Sequence, residues 1–197
     1  MTNVTCDIAM SMDGFVAGPN QSLADPIGEG GDRLHRWMFE EPDANAAAID
    51  AITSAGAYIM GRNMFGPGRG GWDEEWKGWW GDEPPYHAPV FVLTHHPRAA
   101  LPMQGGTTFY FVTDGVESAL ALAREAADDR TVAIAGGAAT VNQYLAAGLI
   151  DELRLHVAPV LLGAGERLFE GVGDLNLELL GTSGTELVAH LTYRIVP

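Results

Sequence analysis

The strongest constraint on the fold of this chain is a change of period along it. Up to about residue 150, short apolar runs alternate with amphipathic ones. Residues 4–10, 57–60, 90–94, 107–112 and 132–135 are brief and apolar, the pattern of strands buried on both faces. Helices are expected between them, over 32–39 and 43–54, opened by Asp32 and Asp43 as carboxylate caps. Two more are expected over 117–127, with Leu120 and Ala123 on one face, and over 138–147, closed by Gly148. From residue 151 the period becomes two. Leu153, Leu155 and Val157 alternate with Glu152, Arg154 and His156, and residues 175–180 and 186–196 look similar. This order predicts an α/β fold of three layers. Its central sheet is mixed and mainly parallel, with helices on both faces and a C-terminal antiparallel hairpin. The 197 residues fit one domain spanning 1–197. Ligands of such sheets sit at the carboxyl ends of the strands.

Charge narrows the partners. The net charge is −15, and Lys77 is the one lysine among 11 basic residues. An acidic surface repels phosphate backbones, so neither nucleic acid nor an anionic membrane is an expected partner. The opening residues lack a basic stretch followed by an apolar one, and no run approaches a membrane span, so a cytoplasmic protein is expected. The single cysteine, Cys6, rules out an internal disulfide framework and reads as a buried strand residue.

Four segments could carry chemistry. Ile134-Ala135-Gly136-Gly137-Ala138-Ala139-Thr140 runs from a strand through two glycines into a helix, where a phosphate could approach unpaired N–H groups; a plain tight turn fits equally well. Ile59-Met60-Gly61-Arg62 repeats that step with a guanidinium suited to phosphate oxygens or to one of the 26 carboxylates. Thr94-His95-His96-Pro97-Arg98 ends a strand with groups suited to a 2′-phosphate and an adenine, or stands as an unliganded surface loop. Adjacent histidines on a strand point to opposite faces, so no metal is expected there. Asp13-Gly14 follows the first strand and is also a common turn pair. A fifth stretch, 66–89, holds Trp72, Trp76, Trp79 and Trp80 and is too long and aromatic for a solvated spacer.

Taken together, these segments resemble the dihydrofolate reductase-like superfamily. More closely, they resemble the reductase domain of the bifunctional riboflavin-biosynthesis deaminase/reductase and its stand-alone bacterial relatives. Ser11-Met12-Asp13-Gly14-Phe15-Val16-Ala17 is similar to that family's opening segment. Met60-Gly61-Arg62, Thr94 to Arg98 and Gly136-Gly137 follow in the family's order, as do Asp151-Glu152-Leu153 and Pro159-Val160-Leu161-Leu162-Gly163.

The resemblance implies NADPH, hydride transfer to a C=N or C=O bond of a pterin- or pyrimidine-like ring, and homodimers. It would place Gly61, Arg62, Thr94, His95, Arg98, Gly136, Gly137, Ala138 and Thr140 on the cofactor, and Ala9, Val16 and Ala17 near the nicotinamide. Asp13 would face the substrate, and Phe15, Trp37 and Trp72 could wall a pocket for a flat ring; tryptophans of the loop would serve a dimer interface equally well. For the proton, Asp13 is the first expectation and Glu166 the second, as carboxyls whose pKa an apolar cleft would raise. The chain departs from dihydrofolate reductases proper in its 32–39 segment, where Asp32, His35 and Trp37 match no family acid. A pyrimidine reductase of riboflavin synthesis, a dihydrofolate reductase, and a nucleotide- or flavin-binding module without turnover are the rival readings.

Overall fold

A computed structural model describes residues 2–66 and 70–196. Its centre is a nine-stranded sheet. In chain order the strands are β1 (Val4–Ser11), β3 (Ala57–Gly61), β4 (Pro89–Leu93), β5 (Leu101–Pro102), β6 (Thr108–Val112), β7 (Val132–Gly136), β8 (Glu152–Ala158), β10 (Asn176–Gly184) and β11 (Ala189–Val196). Two further short strands, β2 (Phe15–Ala17) and β9 (Glu166–Arg167), pair with each other in a small separate sheet. The spatial order of the large sheet is β10-β11-β8-β1-β7-β3-β4-β6-β5. β8, β1, β7, β3, β4 and β6 run parallel, and β11, β10 and β5 are antiparallel to their neighbours. The mixed sheet and closing hairpin are those expected. β5 and β9, of two residues each, are too short to show a period in sequence.

One face of the sheet carries the main core. Cys6, Ile8, Ile59, Ile134, Leu153 and Leu155 meet Leu120 and Ala123 of helix α4 (Val116–Ala127), and Val141, Tyr144 and Leu145 of helix α5 (Ala138–Ala146). Cys6 lies wholly inside it, and burial pushes its thiol pKa up. α5 ends where Gly148 takes a left-handed turn at φ 64°, as expected of that residue.

The opposite face is covered in two pieces. At one end a 3-10 turn (Gly31–His35) leads into helix α1 (Arg36–Glu40), with Leu34 and Trp37 wholly buried against the sheet. At the other end the tryptophan-rich loop folds down. Trp72, Trp76 and Trp80 pack on a cluster of Phe65, Tyr86, Val90, Val92 and Phe109. Helix α2 (Ala46–Thr53) lies beyond α1, and helix α3 (Arg62–Phe65) follows β3.

Two expected caps give way to neighbours. The 3-10 turn starts after Gly30, whose φ of 72° suits glycine, so Asp32 falls inside it. α2 starts after Asn45 rather than Asp43, and Asn45 turns its side chain elsewhere.

Candidate active site

A cleft of about 820 Å³ opens between these two coverings, at the carboxyl ends of the central strands. That is the size of a site for a drug-sized organic ligand or larger. It runs from the ends of β3, β4, β6 and β7 across to the middle of β1 and β8.

The strand ends build one half of it. A Cβ placed on Gly61 would run into the Thr140 hydroxyl, so the end of β3 lies directly against the first turn of α5. Gly136 has φ 126° and is joined to Gly137 by a cis peptide bond. Gly137 is the N-cap of α5; no side chain caps that turn, and a Cβ there would meet open space. Backbone N–H groups and the positive end of a nine-residue helix therefore face the cleft, the donor set that receives a phosphate. Thr94 is buried and its Oγ1 accepts from the His96 amide at 3.1 Å, which shapes the turn that presents His95. Arg62 lies with its guanidinium 3.8 Å from the centre of the Trp72 ring and reaches the Gly71 carbonyl at 3.2 Å.

The structure brings most of the expected residues to this cleft. Ala9, Val16, Ala17, Gly61, Arg62, Thr94, His95, Gly136, Gly137, Ala138 and Thr140 all line it, as does Glu166 beside Ala17. Trp37 backs its floor without being exposed, with its ring centre 5.0 Å from those of both His156 and His190.

Four expectations need correction. Arg98 does not enter the cleft. Its buried guanidinium donates to the Glu74 and Trp76 carbonyls at 2.9 and 2.8 Å, and stands 5.4 and 5.1 Å from the Trp72 and Phe111 rings. The irregular tryptophan loop leaves carbonyls without ladder partners, and Arg98 supplies the donors. Trp72 is part of that same packing. Its Nε1 donates to the His96 carbonyl at 2.7 Å, and Trp79 and Trp80 form the cleft wall instead. Phe15 is buried away from the cleft beneath the Arg167 guanidinium, 4.4 Å from its ring centre.

Asp13 is the fourth. Its carboxylate accepts from the amides of Leu162 and Gly163 at 3.1 and 2.7 Å, and it does not line the cleft. The Ser11 hydroxyl, then those amides, hold its pKa down at about 2, opposite to the rise expected of a proton donor. A carboxylate held below its ordinary 3.8 adds stability above that value. The anchor is therefore intact near neutrality and weakens as pH falls towards about 2. Asp13 ties the turn after β1 to the loop after β8.

The other half of the cleft holds residues that the sequence reading passed over. Asp7, His35 and His156 line it. The β1–β8 pairing sets Asp7 beside Arg154 and Ala9 beside His156; the β8–β11 pairing sets His156 beside His190. The face of β8 that carries His156 is thus roofed by the 3-10 turn and α1. The signal was present: a carboxylate within a strand that is buried on both faces is out of place. Among the described residues, no group of three or more His, Cys, Asp or Glu could hold a metal ion.

With this geometry in place, comparison with known proteins identifies the class. Residues 2–189 match the model of the RibD C-terminal domain, and the chain belongs to that family. The fold is that of dihydrofolate reductase-like enzymes. A protein of Bacillus subtilis strain 168 called uncharacterized protein YyaP is 23% identical over 191 residues, covering 91% of this chain and 87% of the relative. A crystal structure of a putative riboflavin biosynthesis protein from Shewanella sp. PV-4 is similar with a TM-score of 0.68 and 24% identity, covering all of both chains. Dihydrofolate reductase from Enterococcus faecalis, solved with NADP(H), is similar with a TM-score of 0.55 and 18% identity, covering 98% of this chain and 96% of that one.

Proposed function

We propose that this chain is a cytoplasmic NADPH-dependent reductase acting on a small heterocyclic, pterin- or pyrimidine-like, or carbonyl substrate. The observation that carries this reading is the juxtaposition of two glycine turns, Gly61 and Gly136-Gly137, at neighbouring strand ends over one cleft. Membership of the RibD C-terminal family and the likeness to an NADP(H)-binding reductase support it. When bound, the cofactor supplies hydride. The Gly137, Ala138 and Thr140 end of α5 would hold its pyrophosphate, with Arg62, Thr94 and His95 at the phosphate on its adenosine side. Ala9, Val16 and Ala17 would leave room for a flat ring against β1. The apolar wall formed by Ile27, Met38 and Ile52 would exclude water from the substrate side.

Calorimetry tests the cofactor directly. NADPH is expected to bind, and Arg62→Ala to weaken it by about 1.5–3 kcal/mol, the worth of a hydrogen bond to a charged group. NADPH oxidation is then followed with pterins, pyrimidines, quinones and aldehydes. Binding without oxidation of any of them would instead favour a nucleotide-binding module.

A homodimer is part of the same proposal. Leu177 and Leu179 pair with Ile195 and Tyr193 and extend the apolar face of the hairpin beyond the core, where both stand exposed. An uncovered apolar face of this kind suits a second copy. Sedimentation velocity is expected to give a dimer that Leu179→Lys converts to monomer; a monomeric wild type would reject it.

A further inference from the structure

The floor of the substrate half contains polar atoms that nothing in the protein satisfies. Asp7 Oδ1 and His156 Nε2 are both buried without a hydrogen-bond partner and lie 3.6 Å apart, in two residues that line the cleft. Both side chains are at most 5% exposed. Leaving such groups unpaired is costly, and the site where it happens calls for an explanation.

Hydrogen-bond bookkeeping fixes the protons around them. The Asn45 Nδ2 donates to two carbonyls, Glu41 O at 2.8 Å and Trp37 O at 3.3 Å, so its Oδ1 is the atom facing His190 Nε2 at 2.8 Å. An amide oxygen only accepts, so His190 carries its proton on Nε2. Burial and the neighbouring His156 push the His190 pKa down to about 4, so it is neutral and its Nδ1 is bare. That bare nitrogen faces His156 Nδ1 at 2.8 Å, so His156 is the donor there. The remaining His156 nitrogen, Nε2, faces the Asp7 carboxylate. Two lone pairs would repel each other in that position; one proton between them turns the contact into an attraction.

We propose that Asp7 and His156 together hold one transferable proton at the floor of the cleft and are the acid of the reduction. This rests on the reductase reading above. In the step, a C=N or C=O carbon of the substrate takes hydride, two electrons and a proton, from a reduced nicotinamide. The π pair withdraws to the heteroatom, which takes the Asp7–His156 proton; after the product leaves, the open cleft admits bulk solvent, and a solvent proton taken up there replaces the one given to the product. Arg154, 3.3 Å from Asp7 Oδ2 and 2.6 Å from Glu152, keeps the carboxylate seated. His190 and Asn45 are positioning residues that set the His156 tautomer. His35, whose Nδ1 is also buried without a hydrogen-bond partner, lines the same half of the cleft. A substrate that fits is neutral, with its reducible heteroatom as acceptor towards Asp7.

The test has two arms. The first is nitrogen-15 and carboxyl carbon-13 NMR of the whole protein near pH 7, without cofactor. It should show His190 protonated on Nε2, His156 protonated on Nδ1, and one further proton on His156 Nε2 or the Asp7 carboxyl. Asp7→Asn should remove that further proton. A bare His156 Nε2 opposite an ionised Asp7 in the wild type overturns the proposal, whether or not any compound is reduced. The second arm uses whichever compound of the panel above the wild type reduces. Asp7→Asn and His156→Gln should each lower kcat about a hundredfold or more, the usual worth of a positioned acid. NADPH binding should stay within about twofold of the wild type, because neither residue lies at the glycine turns. Wild-type turnover in both variants overturns the assignment. Failure of the wild type to bind NADPH would count against the cofactor reading alone and leave the NMR result standing.

Discussion

Arg98→Ala is expected to loosen the tryptophan-rich loop while leaving the preference between NADPH and NADH where it was. The side chain is 3% exposed and gives two hydrogen bonds to the Glu74 and Trp76 carbonyls. Its pairing with the Glu74 carboxylate at 3.4 Å adds little, because that carboxylate is 74% exposed and screened by water. Removing the guanidinium leaves both carbonyls short of a donor and takes a packed group away from Trp72 and Phe111. The two charge-assisted bonds alone are worth about 3 kcal/mol or more. Much of that loss should appear locally, as faster amide exchange in the loop, because a loop can open without unfolding the sheet. Loss of NADPH discrimination with an undisturbed loop would show instead that the guanidinium leaves this position to meet the cofactor.

Trp37→Ala should be the most damaging single truncation in the half of the cleft that holds Asp7 and His156. The ring is wholly buried and is the wedge between α1 and the β8–β11 face. Tryptophan-to-alanine changes in cores cost about 3–5 kcal/mol. The lower end is expected here, because the vacated space adjoins two imidazoles and the cleft, so water can enter it. For a domain of this length, about 3 kcal/mol lowers the melting temperature by roughly 6–12 °C. Trp37→Phe should restore about half of that. A melting temperature unchanged by the alanine variant would mean that the wedge contributes nothing to holding the roof.

The two variants mark where the sequence was legible. The parallel strands and the helices over 116–127 and 138–146 showed themselves because their apolar residues follow one period and face one core. The glycine turns were legible because a strand end that turns at once into a helix favours glycine, as the φ of 126° at Gly136 shows. Asp13 misled because a carboxylate after a strand looks the same whether it faces a ligand or two backbone amides. Arg98 misled because its position next to the β4 end says nothing about which way a long side chain turns. Asp7 and His156 were passed over for the converse reason. The period of two in β8 separates the two faces of the strand correctly, but it cannot say that the polar face has a roof. That roof comes from residues 31–40, far away in sequence, and only the folded chain brings it over the sheet.

The Asp13 anchor bears on how chains of this kind are sorted. The Ser11-Met12-Asp13-Gly14 signature secures a loop, so a search built on it retrieves the scaffold and is blind to the reaction. Positions 7 and 156 lie outside that signature, within strands β1 and β8. Under the role proposed for Asp7 and His156, sorting related chains by the pair at those two positions would separate members that share this pair from members whose reaction, if any, needs another proton source.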